Sequence, residues 1–499
     1  MSQRTAPNVS VEPRRFCIVG TGYVGMASAI GLAEFGHDVV GYDIIRERVR
    51  GLQNGITPYH EEGIAAALQT HLASGRLTFV ESLAEAAGSA EFIVIAVGTP
   101  SRTDGSADLS CLYSAIDALL AIDLTGKTLV IRSTVPVGTT DFIADRLRGT
   151  ASVLHAPEFL REGSALKDFL DPDRVVVGAS PLEDAGPFLS LFEHLGKPLI
   201  ATSPREAELI KGFSNTYLAL KISFANEVAN LCDAVDADAL VVLAGIGNDT
   251  RIGKLFLQPG IGYGGPCFDK DVRSMHHIAG ENDSSRGLLA ATVRVNEVQP
   301  RRIIDTLEEE VGRLGGLTIG VWGLTFKAGT DDVRDSLAIK IVADMEARSA
   351  RDCAFDPAVE GPHTMISCEL VGSPLDALNA DALLVLTEWP MFREIPVTAI
   401  ASALRLGVVI DGRNTLDRKA LAIAGVTYRG VGRRAIPPKT PNVERSTESE
   451  VAVSNALECV RERRVRSDSK CRLKALAKRS CVWRLGGAVP SRIAIGDGP

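Results

Sequence analysis

Residues 16–25 read FCIVGTGYVG, a short apolar run that ends in Gly20, Gly22 and Gly25 at G-x-G-x-x-G spacing. A run of this length reads as a buried strand, and the glycines after it allow a tight turn into a helix. Backbone amides and the positive helix end can then cradle a pyrophosphate, with Gly20, Gly22, Val24 and Gly25 against it. The motif alone is weak. It is strengthened by the next run, VVGYD at 39–43, because Asp43 falls about twenty residues on, where a carboxylate accepts ribose hydroxyls. Asp43 would repel a 2′-phosphate, so NAD is favoured over NADP. Arg46 and Arg48 weigh against that choice, since a guanidinium can hold the phosphate, and Arg48 is assigned to the cofactor. A FAD or non-redox nucleotide site is the competing reading.

Working outward, FIVIAVG at 92–98 and TLVIRS at 128–133 continue the series, and a second series comes later in the chain, with LTIGVWG at 317–323, CAFD at 353–356, ALLVLT at 382–387 and GVVID at 407–411. Such runs alternating with helical segments predict an α/β protein with mostly parallel sheets. Between the two series, residues 205–233 carry Leu209, Phe213, Leu220, Phe224, Val228 and Leu231 at helical spacing, which predicts one long helix. The expected architecture is two Rossmann-like doubly wound domains joined by that helix, whose apolar stripe is a natural homodimer surface. The boundaries expected are a leader at 1–14, an NAD-binding Rossmann-like domain at 15–203, a central helical region at 204–310, a second Rossmann-like domain at 311–434 and a basic, disordered tail at 435–499. Thr99 in VGTP and Thr134 in RSTVPVGT end two strands where such a sheet opens its crevice, placing hydroxyls near a nicotinamide or a catalytic water.

The chain has 499 residues, 45% hydrophobic, with a net charge of −8. That balance argues against general affinity for nucleic acid. No apolar run reaches membrane-span length, and the start, MSQRTAPNVSVEPRR, has no apolar stretch behind its charges, so a cytoplasmic protein is expected. Nine cysteines are scattered without a Cys-x-x-Cys pair, so neither disulfides nor zinc is expected. His276 and His277 are adjacent and diverge on a helix, so no metal site is assigned.

The stretch GIGYGGPCFDKD, residues 260–271, sets Cys267 between glycines and charged residues. The glycines let a ligand approach closely, whereas the bland reading is a buried core thiol. Lys211 and Asn215 lie four apart on the long helix, so both can point at one reacting oxygen, where an ammonium and an amide suit an oxyanion. Glu158 and Glu162 in PEFLRE share that spacing, and by themselves read as one exposed helix face.

The segments GTGYVG, VGTP, STVPVGT, APEFLREGSALKDFLDPDRVVVG, AELIKGFSNTYLALKISFANE, GYGGPCFDKD, GLTFKAGTDDVRDS, LTEWPMF and DGRN succeed one another over residues 15–434. Together they resemble the nucleotide-sugar 6-dehydrogenases of the UDP-glucose/GDP-mannose dehydrogenase family. The resemblance implies oxidation of a sugar primary alcohol to a carboxylate in two hydride transfers, with Cys267 holding a thiohemiacetal and then a thioester that water releases. It implies that Lys211 and Asn215 bind substrate and assist catalysis, that Glu158 activates the hydrolytic water, and that Thr134 and Asp271 organise it. It places Lys327 and Arg413 at the sugar nucleotide, Lys270 and Arg334 near NAD, and Arg251 where it can reach across a dimer. It assigns to substrate the run Glu158, Phe159, Leu160, Arg161 and Glu162, the last also touching cofactor, and the loop Phe256, Leu257, Gln258, Pro259 and Gly260, together with Gly264.

Two departures from the family pattern matter. Asp269 stands where the family usually has proline, which would disfavour a thiolate if close to it, and Pro266 stands where serine is common. Relatives that oxidise acetamido sugars tend to carry Gly-Gly-His-Cys, whereas GGPC here favours UDP-glucose, with GDP-mannose the nearest rival. Two further readings are a non-catalytic nucleotide-sugar binding protein and a two-electron dehydrogenase that stops at the aldehyde.

Overall fold

The computed structural model describes residues 12–434 and 436, apart from 148, 283, 285 and 362. The expectation of a tail at 435–499 and most of the leader therefore lie outside the described residues. The first sheet contains β1 (Arg15–Val19), β2 (Asp38–Tyr42), β3 (Leu77–Val80), β4 (Phe92–Ile95), β5 (Thr128–Ile131), β6 (Ser152–His155), β7 (Val175–Gly178) and β8 (Leu199–Thr202), in the order β3-β2-β1-β4-β5-β6-β7-β8. The second contains β9 (Thr318–Trp322), β10 (Arg351–Phe355), β11 (Glu369–Leu370), β12 (Ala382–Val385), β13 (Val408–Asp411) and β14 (Thr427–Gly430), in the order β11-β10-β9-β12-β13-β14. Both reverse direction around their first strand, the doubly wound pattern that opens a ligand crevice at the carboxyl ends of the strands. All pairs are parallel except β6 with β7, which touch only where His155 faces Gly178.

The two sheets repeat one device. Gly20, at φ +92°, donates to Tyr42 O at 2.8 Å, and Asp43 beyond β2 accepts from Thr21 N at 2.8 Å and Thr21 Oγ1 at 2.9 Å. Gly323, also at φ +92°, donates to Phe355 O at 2.8 Å, and Asp356 beyond β10 accepts from Leu324 N at 2.7 Å and from Thr325 N and Oγ1 at 3.0 Å. Each aspartate clamps the turn that leaves the central strand. Beyond the clamp the two chains diverge. After Gly20 a helix, Tyr23–Glu34, starts at once, whereas after Gly323 the chain makes an excursion before the helix Leu337–Ala347.

That excursion meets the first sheet's loops. Tyr23 Oη donates to Asp331 Oδ1 at 3.2 Å, His60 N donates to Asp331 Oδ2 at 3.3 Å, and a Cβ added to Gly163 would lie 2.5 Å from Gly329 O. The two crevices therefore face each other across one cleft.

Between the sheets runs the helix Pro204–Ala234, 31 residues long. Ser203 caps it, its side chain accepting from Glu206 N while Glu206 accepts from Ser203 N, with Pro204 at the first position. Its inward face is built from small residues, Ala207, Gly212, Ala219, Ala225 and Ala229, together with Lys211 and Asn215. A Cβ at Gly212 would lie 2.7 Å from the Met275 side chain, so that glycine lets the helix Phe268–Glu281 close in. The larger apolar residues of the stripe turn the other way: Phe213, Phe224 and Leu231, with Tyr217 among them, are 46% to 64% exposed. Among the described residues no helix is long and apolar enough to cross a membrane.

Candidate active site

Gly20, Gly22 and Gly25 stand at the end of β1 as their spacing predicts. A Cβ at Gly25 would fall 1.8 Å from Gly20 O, so the turn closes only without one. Gly22 is the N-cap of the first helix with no side-chain cap, and an added Cβ there would meet nothing within 4 Å. Uncapped amides facing open space fit the pyrophosphate of a dinucleotide. Val24 lies on the first turn, half-buried. Asp43 is buried and also accepts from Ile45 N at 3.0 Å and Arg48 Nη1 at 2.9 Å. Burial works to raise its pKa, and those hydrogen bonds outweigh it and hold the carboxyl below the usual range. Arg46 pairs loosely with Glu81 at 3.7 Å. Thr99 Oγ1 donates to Thr134 O at 2.7 Å, so the ends of β4 and β5 present both hydroxyl residues at the crevice.

Across the cleft, Cys267 precedes the helix Phe268–Glu281 and is exposed, which excludes the core-thiol reading. The thiol is open towards the cleft but flanked heavily by protein. That desolvation, with Glu158 and Asp271 nearby, pushes it up to about 12, against the lowering effect of Lys211. The free site therefore holds a protonated thiol. The Asp269 carboxylate pairs with Arg273 Nε at 2.8 Å, one helical turn on, so its charge is taken up by a cation rather than left facing the thiol.

Lys211 and Asn215 face the same region. Lys211 Nζ lies 2.8 Å from Glu158 Oε1, with the side chains 3% and 8% exposed. Burial works to lower the Lys211 pKa, but Glu158 foremost, then Asp271, outweigh it and hold the ammonium form. Asn215 Nδ2 donates to Asp271 Oδ2 at 2.6 Å, and Lys270 Nζ reaches Asp271 Oδ1 at 2.8 Å. Cation, amide and two carboxylates thus form one buried network beside the thiol.

Glu158 and Glu162 do not lie on an exposed helix face. Residues 156–161 form an irregular segment after β6, in which Leu160 N donates to Glu158 Oε2 at 2.6 Å. Phe159 and Leu160 are half-buried, while Arg161 is exposed and pairs with Asp168 through Nε at 2.9 Å. Glu162 reaches Arg334 Nη2 at 3.7 Å, and burial together with Asp332 raises its pKa. Arg334 spends its stronger contacts on Asp332, with Nε 2.9 Å from Oδ2. Lys327 is influenced by Glu162 and Cys267, and burial lowers its pKa.

The loop before the cysteine is shaped by close contacts. Phe256 has φ +62°, Leu257, Pro259 and Gly260 are buried while Gln258 is exposed, and Gly260 N donates to Asn226 Oδ1 at 2.7 Å. A Cβ at Gly264 would lie 2.8 Å from Asp335 O. Arg413 is tied to Leu386 O at 2.8 Å and to Glu388 at 3.2 Å. Arg251 does not join the cluster within one chain: its side chain is 86% exposed and paired with Asp249.

Sequence reasoning passed over three buried groups. Arg132, at the end of β5, donates to Ala156 O at 3.2 Å, and burial lowers its pKa to about 10. His155 is fully buried with neither nitrogen hydrogen-bonded, and burial, Arg132 and Lys211 push it down to about 3, so it stays neutral. Asp332 completes the Arg334–Glu162 cluster. A charge ending an apolar strand was the one visible signal, at Arg132.

A dinucleotide cradle on one doubly wound sheet, facing a cysteine and a lysine–carboxylate network beside a second, defines the chain as an NAD-dependent oxidoreductase. Its sequence matches three parts of the UDP-glucose/GDP-mannose dehydrogenase family: the NAD binding domain over residues 14–196, the central domain over 205–298 and the UDP binding domain over 320–418. The chain belongs to that family. A UDP-glucose 6-dehydrogenase of Bacillus subtilis (strain 168) is 38% identical over 433 residues, covering 84% of this chain and 98% of the relative. One from Rhizobium meliloti (strain 1021) is 38% identical over 435 residues, covering 84% and 99%. A UDP-glucose dehydrogenase structure from Pyrobaculum islandicum superposes with a TM-score of 0.77 at 36% identity, covering 87% of this chain and all 100% of that one. A UDP-D-ManNAc dehydrogenase structure from Pyrococcus horikoshii also gives 0.77, at 29% identity and 85% and 100% coverage.

Proposed function

We propose that this enzyme oxidises UDP-glucose to UDP-glucuronate through a covalent intermediate on Cys267. The observation that carries the reading is the convergence of the open Cys267 thiol, the Lys211–Glu158 pair and the Asn215–Asp271 bond on one cleft. NAD, when bound, accepts the hydride in each of the two oxidations. Lys211 and Asn215 donate to the sugar oxygen as charge develops, Asn215 with the amide hydrogen that Asp271 does not take, while the proton that oxygen loses in each oxidation passes to solvent water. The thiol needs no prior ionisation: it adds to the aldehyde carbon while its proton goes to the aldehyde oxygen. After the second oxidation Glu158 takes a proton from water as the C–S bond breaks, with Thr134 and Asp271 orienting that water. Gly20, Gly22, Val24, Gly25, Asp43, Arg48, Thr99, Glu162, Lys270 and Arg334 serve the dinucleotide. Phe159 to Glu162, Phe256 to Gly260, Gly264, Lys327 and Arg413 serve the sugar nucleotide.

UDP-glucose is favoured over GDP-mannose and acetamido sugars because the relatives at 38% identity over most of the chain bear that name, whereas the UDP-D-ManNAc dehydrogenase is 29% identical, and because proline precedes the cysteine. The exposed stripe of Phe213, Tyr217, Phe224 and Leu231 supports a homodimer through the central helix, which would bring Arg251 to a neighbouring subunit's site. Tyr217→Asp should shift the enzyme from dimer to monomer in sedimentation. The cytoplasm is the location that goes with this reading. Cys267→Ser tests the covalent step: acid formation should cease, and unchanged turnover would sink it.

A further inference from the structure

Arg174 has no part in the scheme above, yet it sits against the residues that do. It directly precedes β7, the strand that runs antiparallel to β6 and meets it only at His155 and Gly178. Because those two strands overlap at their carboxyl ends, β7 begins beyond the end of β6, beside the segment that carries Glu158. There the Arg174 guanidinium lies 3.7 Å from the centre of the Phe159 ring and donates from Nη2 to Ser214 Oγ at 3.1 Å. The Ser214 hydroxyl itself donates to Ile210 O at 2.6 Å, which leaves its oxygen free to accept. Lys211 Nζ is 5.6 Å from the same Phe159 ring.

Phe159 comes directly after Glu158 in sequence, and Ser214 precedes Asn215. One guanidinium therefore spans from the glutamate segment to the helix that supplies both donors. Arginine suits this post because its plane can stack on a ring while its edge donates, which a lysine ammonium cannot do with the same geometry. Glu158 is also held by Lys211 and by its own turn at Leu160, and the Arg174 bridge from Phe159 to Ser214 is a second tie between the segment and the helix.

We propose that Arg174 is a positioning residue that holds Glu158 in register with Lys211 and Asn215 for the release of product from Cys267. The inference rests on the covalent reading. In the step concerned, a water oxygen bonds to the thioester carbon, the C–S bond breaks, Glu158 takes a proton from the water, and the thiol and a carboxylate result. A displacement of about 1 Å at such a step can cost about 100-fold in rate.

The test compares Arg174→Met, which keeps the stem, Arg174→Lys, which keeps the charge, and Glu158→Gln, each mixed with NAD and UDP-glucose, quenched in acid and weighed as intact protein. Arg174→Met should lower kcat about 10- to 100-fold per folded molecule. It should leave the KM for NAD within about twofold, because the cradle on β1 lies well away across the sheet. It should also accumulate an acyl adduct on Cys267, and Arg174→Lys should do so to a lesser extent. A purely structural role would lower the melting temperature while leaving kcat and the adduct level as in the parent, and that result overturns the proposal. If Glu158→Gln accumulates adduct and the Arg174 variants do not, the positioning role fails while the covalent reading stands. If Glu158→Gln turns over normally without adduct, Glu158 is not the base and the positioning proposal falls with it, whereas the covalent reading fails only if Cys267→Ser still forms acid. Should Arg174→Met not fold, Arg174→Lys carries the same comparison.

Discussion

Replacing Lys211 by methionine removes one half of the buried pair around which the site is organised. Methionine keeps most of the length and none of the charge, leaving the Glu158 carboxylate, 8% exposed, with only the Leu160 N–H at 2.6 Å. Removing one partner of a buried ion pair costs about 3–5 kcal/mol, because the remaining charge stays desolvated. Lys211→Met with Glu158→Gln leaves no buried charge and should lose less than the sum of the single changes, with a coupling of about 2 kcal/mol or more. The assay is urea unfolding of parent, both single variants and the double, read as a cycle. Turnover should fall at least about 100-fold in all three variants, as for loss of an oxyanion donor or a general base, while NADH binding is retained. Strict additivity in the cycle, or a Lys211→Met enzyme with parental kcat, would refute the reasoning.

The geometry carries three further predictions. Asp352 on β10 is buried with neither oxygen hydrogen-bonded, and burial, with Glu346 nearby, raises its pKa to about 7. A carboxyl raised in the folded state gives stability that is full below its unfolded value and is lost as pH rises through 7. Asp352→Asn should therefore gain on the order of 2–4 kcal/mol relative to the parent between pH 4 and pH 8, read from unfolding midpoints at the two pH values. Gly25→Ala should weaken NADH binding at least tenfold by fluorescence titration, because its Cβ would fall 1.8 Å from Gly20 O. With its thiol pushed up to about 12, Cys267 should react with iodoacetamide more slowly than free cysteine at pH 8, as peptide mapping would report, and UDP-glucose should slow it further.

The central strands were legible because each is a short, almost wholly apolar run, and the helix over 205–233 because its apolar spacing persists along its length. The strands β3, β6, β7, β8, β11 and β14 were not named, although β4, β5, β12 and β13 are no longer than four residues, and nothing local marks β7 as running the other way. That reversal decides where Arg174 sits, so its contact with Phe159 was invisible. The four-residue spacing of Glu158 and Glu162 imitates a helix face, although Pro157 before them and Gly163 after them were cues to an irregular segment. Asp269 was judged by its closeness to Cys267 in sequence, whereas Arg273, four residues on, was the partner that turns it aside. Cys267, Lys211 and Asn215 were named from motif and spacing and Asp271 from the family resemblance, and the fold brings the four together. How far the thiol's pKa rises depends on desolvation, which sequence does not carry.

Counting NADH formed per UDP-glucose consumed, with sugar nucleotide limiting and NAD in excess, tests the four-electron scheme most directly. The account predicts two NADH per sugar, with UDP-glucuronate as the product. One NADH per sugar, with free aldehyde in solution, would contradict it.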